Sequence, residues 1–198
     1  MQKITRISHI TLLISSLLLN SAFAATITLP RTGQTTCYNE AGTAIACTGT
    51  GQDGNKLKGA AWPTPRFTDN SNGTVTDNLS GLIWLKNANC FGTQIWSAAL
   101  TSATTLAGGA CGLTDGSTAG QWRLPNITEL ESLVDSERNN PALPAGHPFT
   151  SVQSDSYWSS SSYSYNATYA WLVIMYDGIV YGNGKSKYNY VWPVRAGQ

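Results

Sequence analysis

The chain has 198 residues, only 12% of them charged, and a formal net charge of +1. So sparse and balanced a charge leaves no electrostatic footprint for nucleic acid. High Gly, Ser, Thr and Asn with few charges suits a loop-rich, exported β protein.

Residues 1–24 read as a secretory signal. Lys3 and Arg6 supply the positive region, Ile10 to Leu19 the apolar stretch, and Ala22-Phe23-Ala24 the cleavage site. The apolar run is too short to be a membrane span, and no later segment is long and apolar enough, so no transmembrane segment is expected in the mature chain. No Cys follows the cleavage site, which disfavours a lipid anchor. The expected location is the periplasm, the cell surface or the outside. About 174 residues remain, enough for one domain with a real core and a short extension. Without Lys3 and Arg6, ten basic residues face eleven acidic ones.

From Ala25 to Trp62 the chain is short, polar and rich in glycine. Cys37 to Cys47 reads as a small hairpin with turn residues at its centre. Ala60-Ala61-Trp62-Pro63-Thr64-Pro65 reads as an extended linker, because each Pro pushes its predecessor out of the helical region. The expected organisation is a signal at 1–24, a disulfide-closed hairpin and linker at 25–62, and a main domain at 63–198. All four cysteines, Cys37, Cys47, Cys90 and Cys111, lie beyond the cleavage site. An even count in an exported chain implies disulfides, with three connectivities open. Nearness in sequence favours Cys37–Cys47 and Cys90–Cys111, each closing a short loop worth about 2–4 kcal/mol. A four-Cys zinc site is disfavoured because no C-x-x-C pair occurs.

Arg66 to Asp69 and Thr74 to Asp77 flank Asn70-Ser71-Asn72-Gly73, a hairpin signal. Leu79 to Lys86 continues as a strand. Trp96, Ala99, Leu100, Ala103, Leu106 and Ala107 follow a helical period, which Gly108-Gly109 ends. Asn126 is a good N-cap, and Glu129 three residues later completes a capping box for a second helix. The Pro-rich stretch from Asn140 to Thr150 is a loop. Strands are expected at Tyr157–Ser160 and Tyr169–Tyr176. Asp177-Gly178 then turns the chain into Ile179–Tyr181, and Tyr188 to Arg195 closes it.

Several separated phrases carry more than composition. They are Arg66-Phe67-Thr68-Asp69, Gly73-Thr74-Val75, Gly81-Leu82-Ile83-Trp84, Trp122-Arg123-Leu124-Pro125 leading to Glu129, Tyr157-Trp158-Ser159-Ser160, Ala170-Trp171 and Val194-Arg195. In this order they resemble the DUF1566 family, also called the C-terminal domain of the Legionella collagen-like adhesin, over roughly residues 66–195. The resemblance implies an α+β fold of the C-type-lectin-like kind seen in formylglycine-generating-enzyme-like domains, with two helices and a twisted antiparallel sheet. It implies an exported bacterial protein tied to surface assemblies, and the adhesin that names the family binds sulfated glycans. Some members resemble the variable proteins of diversity-generating retroelements.

Eight of the nine tyrosines fall between Tyr157 and Tyr190, among Ser, Asn and Gly. Tyr supplies stiff contact area at low entropy cost, and the small polar residues adapt around it, as in paratopes. By the resemblance, Trp158, Ser159, Ser160, Ala170, Trp171, Val173, Gly178, Val194 and Arg195 build the scaffold. Tyr163, Tyr165, Asn166, Tyr169, Tyr176, Tyr181, Asn183, Tyr188, Asn189 and Tyr190 then face a ligand. Alternation puts Tyr188, Tyr190 and Trp192 on one face of a strand. Lys185 and Lys187, with Arg195 close in sequence, form a cationic spot for a sulfate or carboxylate on a glycan.

No catalytic residue and no cofactor is expected. His147 is the only histidine past the signal, and Ser159 to Ser162 has neither a nucleophile elbow nor a second histidine as base. No cysteine follows Cys111, so the oxidase chemistry of formylglycine-generating relatives lacks its thiols. Asp69 to Gly73 does not fit a calcium loop, and a hairpin turn explains it without metal. The expected function is a non-enzymatic recognition domain for a glycan or a cell-surface protein. The alternatives are a diversified ligand-binding protein and a structural module of a surface assembly. No oligomeric state is read from the chain.

Overall fold

The computed structural model describes residues 29–197, and the signal reading of residues 1–24 lies outside them. The N-terminal segment forms a two-stranded hairpin, β1 (Cys37–Tyr38) and β2 (Ala44–Ile45), closed by the expected Cys37–Cys47 disulfide. Asn39 shapes its turn by accepting from the Ala41 and Thr43 amides. A single helical turn, α1 (Asp53–Lys56), follows. It has no apolar period, and nothing in the sequence pointed to it.

Contacts cross the boundary expected near residue 62. The Thr35 and Thr36 amides donate to Glu137 at 2.7 and 3.2 Å, and the Ser136 amide donates to the Thr32 carbonyl at 2.9 Å. The Arg66 guanidinium lies 4.5 Å from the Trp62 ring. The N-terminal segment is therefore docked on the rest of the fold.

The main body runs β3 (Phe67–Asp69), β4 (Thr74–Asp77), β5 (Ile83–Leu85), β6 (Thr93–Gln94), α2 (Trp96–Thr105), α3 (Ile127–Glu131), β7 (Ser156–Ser162), β8 (Tyr169–Ile174), β9 (Ile179–Gly184), β10 (Asn189–Tyr190) and β11 (Val194–Arg195). The hairpin β3–β4 pairs Phe67 with Asp77, as its turn chemistry predicts. Gly73 at its tip has φ +85°, and a Cβ there would lie 2.4 Å from the Gly112 carbonyl oxygen, so only glycine fits. The capping box at α3 is formed, with Asn126 accepting from the Glu129 amide and Glu129 from the Asn126 amide.

Two sheets result, in the orders β11-β5-β4-β3 and β6-β10-β7-β8-β9. The α+β class holds, with two corrections. The larger sheet is mixed, since β10 runs parallel to β7 through Tyr190 opposite Tyr157. The closing stretch Tyr188–Arg195 is also not one strand. It gives β10 to one sheet and β11 to the other, with buried Val191, Trp192 and Pro193 between them.

That crossing explains the core. Trp84, Trp122, Trp158 and Trp192 are all fully buried. Trp192 meets Trp84, Phe149 and Tyr157 at centroid distances of 5.6, 4.9 and 5.3 Å, and its Nε1 donates to the Leu85 carbonyl at 2.8 Å. Tyr157 is buried too, its hydroxyl accepting from the Gln153 amide, and burial pushes its pKa far up. A second cluster packs Ala99 and Ala103 of α2 against Trp158, Ala170 and Leu172. Much of β7 and β8 is therefore packed on both faces, while the edge strand β9 keeps Ile179 and Tyr181 exposed. The second disulfide, Cys90–Cys111, is the other expected pair.

Candidate recognition surface

Strand register decides where the tyrosines go. Leu172 pairs with Trp158 on one side and Tyr181 on the other, so all three point to the face covered by α2. Val173 pairs with Tyr157 and Val180, and this row points to the opposite face, toward the cluster that includes Leu130 of α3. Trp171 and Tyr169 alternate with Val173 and share that second face. The tyrosines expected to form one surface are therefore divided between two.

On the α3 side the rings gather. Tyr163 lies 4.5 Å from Trp171 and 6.1 Å from Tyr165, centroid to centroid. Opposite Trp171 in register is Gly182, and its missing side chain leaves room for the Tyr163 ring. A Cβ at Gly182 would stand 3.1 Å from Tyr163 Cδ1. Tyr165 is 88% exposed. Trp171, assigned above to the scaffold, belongs to this surface. Its alternation with exposed Tyr169 is the sequence signal that points to this face, and the scaffold assignment passed over it.

The loop carrying Tyr165 is held by polar contacts. Asn166 accepts from the Thr168 amide and hydroxyl, which makes it a turn builder. Lys185 Nζ donates to the Ser162 hydroxyl at 2.7 Å and the Ala167 carbonyl at 2.9 Å, and lies 4.1 Å from the Trp96 ring. Lys185 thus clamps the loop.

The cationic spot does not form. Arg195 pairs with Asp115 at 3.2 Å and sits 5.4 Å from the Trp122 ring, its side chain 12% exposed. Burial pushes the Asp115 carboxyl up, but hydrogen bonds from Ser117 and the Arg195 charge outweigh it and hold its pKa below the ordinary range. Lys187 stays exposed.

The C-terminal assignments need correction as well. Asn189 is buried, its Oδ1 near Asn183 Nδ2 at 3.4 Å, because β10 is an interior strand between β6 and β7. Tyr190 is half-buried against Tyr157 at 5.4 Å, and Trp192 is in the core. Asn183 is half-buried beside them. Of that alternating trio only Tyr188 is exposed. Tyr176 and Tyr181 are exposed as expected, away from the Tyr163–Trp171 pair.

The motif residues do structural work. Ser159 donates to the Trp171 carbonyl, Ser160 to the Pro125 carbonyl, and Ser161 accepts from the Ile127 amide, so the serine run laces β7 to its neighbours. Arg123 grips Glu129 through two 2.7 Å bonds. Burial raises the Glu129 carboxyl, yet Arg123 and the Asn126 amide outweigh it, and the net shift is downward.

These features define a disulfide-stapled α+β module that presents an aromatic cluster on a hairpin of its larger sheet. The pattern of the Lcl C-terminal domain family matches residues 73–195, well over half of the chain, and the chain belongs to that family. A search of curated proteins finds no match.

Proposed function

We propose that this is a non-enzymatic recognition module of a surface or adhesin-like protein, exported from the cell. It binds a glycan through Tyr163, Tyr165 and Trp171, with Tyr169 on the same face. The supporting observation is the cluster of tilted rings packed over Gly182 of the edge strand β9, beside buried Ala170 and Leu172 of β8. Rings fixed by a rigid sheet present apolar faces to sugar C–H groups while the phenol hydroxyls hydrogen-bond. Membership of the Lcl C-terminal domain family supports the surface-module part of the reading.

A glycan array tests it, comparing the protein with the Tyr163→Ser/Tyr165→Ser double variant at matched thermal stability. Loss of signal in the variant is expected. Equal signal would remove the cluster from the site, and no signal from either protein would move the ligand to the protein class.

A further inference from the structure

One edge of the larger sheet is open. β9 lies at the end of the order β6-β10-β7-β8-β9 and pairs with β8 alone among the described strands. Edge strands expose unpaired amides and carbonyls, and proteins guard them by shortness, charge, proline or a cover. The other edges are guarded in these ways. β6 has two residues, β3 has three and carries Asp69, and β11 is bridged by Arg123. β9 runs for six residues, Ile-Val-Tyr-Gly-Asn-Gly, without a charge or a proline.

The ladder fixes which groups face outward. The Lys185 amide donates at 2.8 Å to the carbonyl of Thr168, directly across from it in the β8–β9 register, so bonded pairs alternate from there. Asn183, Tyr181 and Ile179 bond inward to β8, while Gly184, Gly182 and Val180 turn their amides and carbonyls outward. Gly184 is already engaged, its amide by the Asn183 side chain and its carbonyl by the Lys187 amide. Val180 and Gly182 have no such partner among the described residues. Their amides and carbonyls stay open on the free edge, with Tyr181 between them. Ile179 and Tyr181 share one face of the strand and are 51% and 59% exposed.

We propose that this edge pairs with the β9 edge of a second copy of the chain, antiparallel about a two-fold axis at Tyr181. Val180 then exchanges both bonds with the partner's Gly182, and Gly182 with the partner's Val180, so every open group is satisfied at once. Tyr181 faces the partner's Tyr181 in a close pair without backbone bonds, and Ile179 lies diagonal to that ring. Charge favours a second copy in this direction. Asp177 precedes the strand, and Lys185 and Lys187 follow it, so antiparallel pairing sets each acidic end against the partner's basic end. Parallel pairing would set like ends together. The contact is one strand wide, so the dimer is weak and depends on concentration.

Sedimentation velocity on the purified protein is the first test, with dimer expected to grow in as concentration rises toward about 1 mM. Tyr181→Lys sets two like charges face to face and should weaken dimerisation at least about fivefold. The side chain is exposed, so far-UV circular dichroism should show the fold unchanged. Cross-linking reads the register. Tyr181→Cys places two Cα atoms about 4.5 Å apart across the axis, within disulfide reach, and mild oxidation should give a covalent dimer. Tyr176→Cys, also exposed but far off register from its own mate, should give none. A protein that stays monomeric to about 1 mM would overturn the proposal and leave the edge to an extended peptide of another protein. A dimer that Tyr181→Lys leaves intact, or that Tyr181→Cys does not trap, would overturn it as well. The Tyr163–Trp171 pair lies on the opposite face of the sheet from Tyr181, so no outcome bears on the glycan reading.

Discussion

Gly182→Val separates the aromatic cluster from the stability of the fold. In the structure an ideal Cβ at Gly182 stands 3.1, 3.5 and 3.8 Å from three atoms of the Tyr163 ring. An alanine would press the ring by a few tenths of an ångström, and valine's methyls reach further and displace it from Trp171. Losing that aromatic pair costs about 0.5–1.5 kcal/mol. Valine in a strand recovers a similar amount, because glycine weakens strands and the propensity scale spans about 1 kcal/mol. The two effects nearly cancel, so urea denaturation should place the variant within about 1 kcal/mol of the parent. The near-UV circular dichroism, sensitive to coupled Tyr and Trp rings, should change clearly, and Gly182→Ala should fall between. An unchanged near-UV spectrum in the valine variant, or a loss well above 2 kcal/mol, would refute this account of Gly182.

Other outcomes follow from the same contacts. Asn126→Ala removes the α3 cap and should cost about 1 kcal/mol in denaturant unfolding. The Cys90→Ser/Cys111→Ser pair opens a loop of 21 residues and should cost about 3 kcal/mol by the chain-entropy relation, read as a lowered urea midpoint. Trp192→Phe leaves the Leu85 carbonyl without its donor in a filled core and should cost about 2–4 kcal/mol by the same measurement. The Glu137 carboxyl is held below its ordinary 4.5, chiefly by the Thr36 hydroxyl and the Thr35 amide. A depressed folded pKa means its contribution is complete above 4.5 and fades as pH falls through the lower folded value. Hydrogen exchange at the Thr35 and Thr36 amides should therefore quicken, beyond its intrinsic rate, in that acid range, and Glu137→Gln should lose the dependence.

Features written within a few residues were legible in the sequence. The capping box of Asn126 and Glu129, the Asn70–Gly73 hairpin and the helix beginning at Trp96 all form where local pattern placed them. Both disulfides join the cysteines nearest in sequence. Alternation failed at Tyr188, Tyr190 and Trp192, because period two identifies a face but not what covers it. Here the chain changes sheets between Tyr190 and Val194, and Trp192 becomes the contact between them. Lys185 and Arg195 were misread for a related reason. Their partners, Ala167 and Asp115, lie 18 and 80 residues away, beyond any local pattern.

Those two side chains decide what kind of force the surface can use. Residues 157–195 hold three basic groups, Lys185, Lys187 and Arg195, and one acidic group, Asp177. Arg195 is neutralised by Asp115, and two of the three Lys185 ammonium donors are tied to Ser162 and Ala167. Lys185 keeps its charge, and of residues 157–195 Lys187 adds one exposed ammonium, so two cations at most act at long range and attraction for a polyanion is weak. Stacking and hydrogen bonding must then dominate, and neither is strongly screened. Glycan binding should fall by less than about threefold between 50 and 200 mM salt, and Lys187→Ala should flatten even that slope. A steep loss, of the size expected when many charges are neutralised, would place the ligand on a cationic surface elsewhere and away from the Tyr163–Trp171 pair.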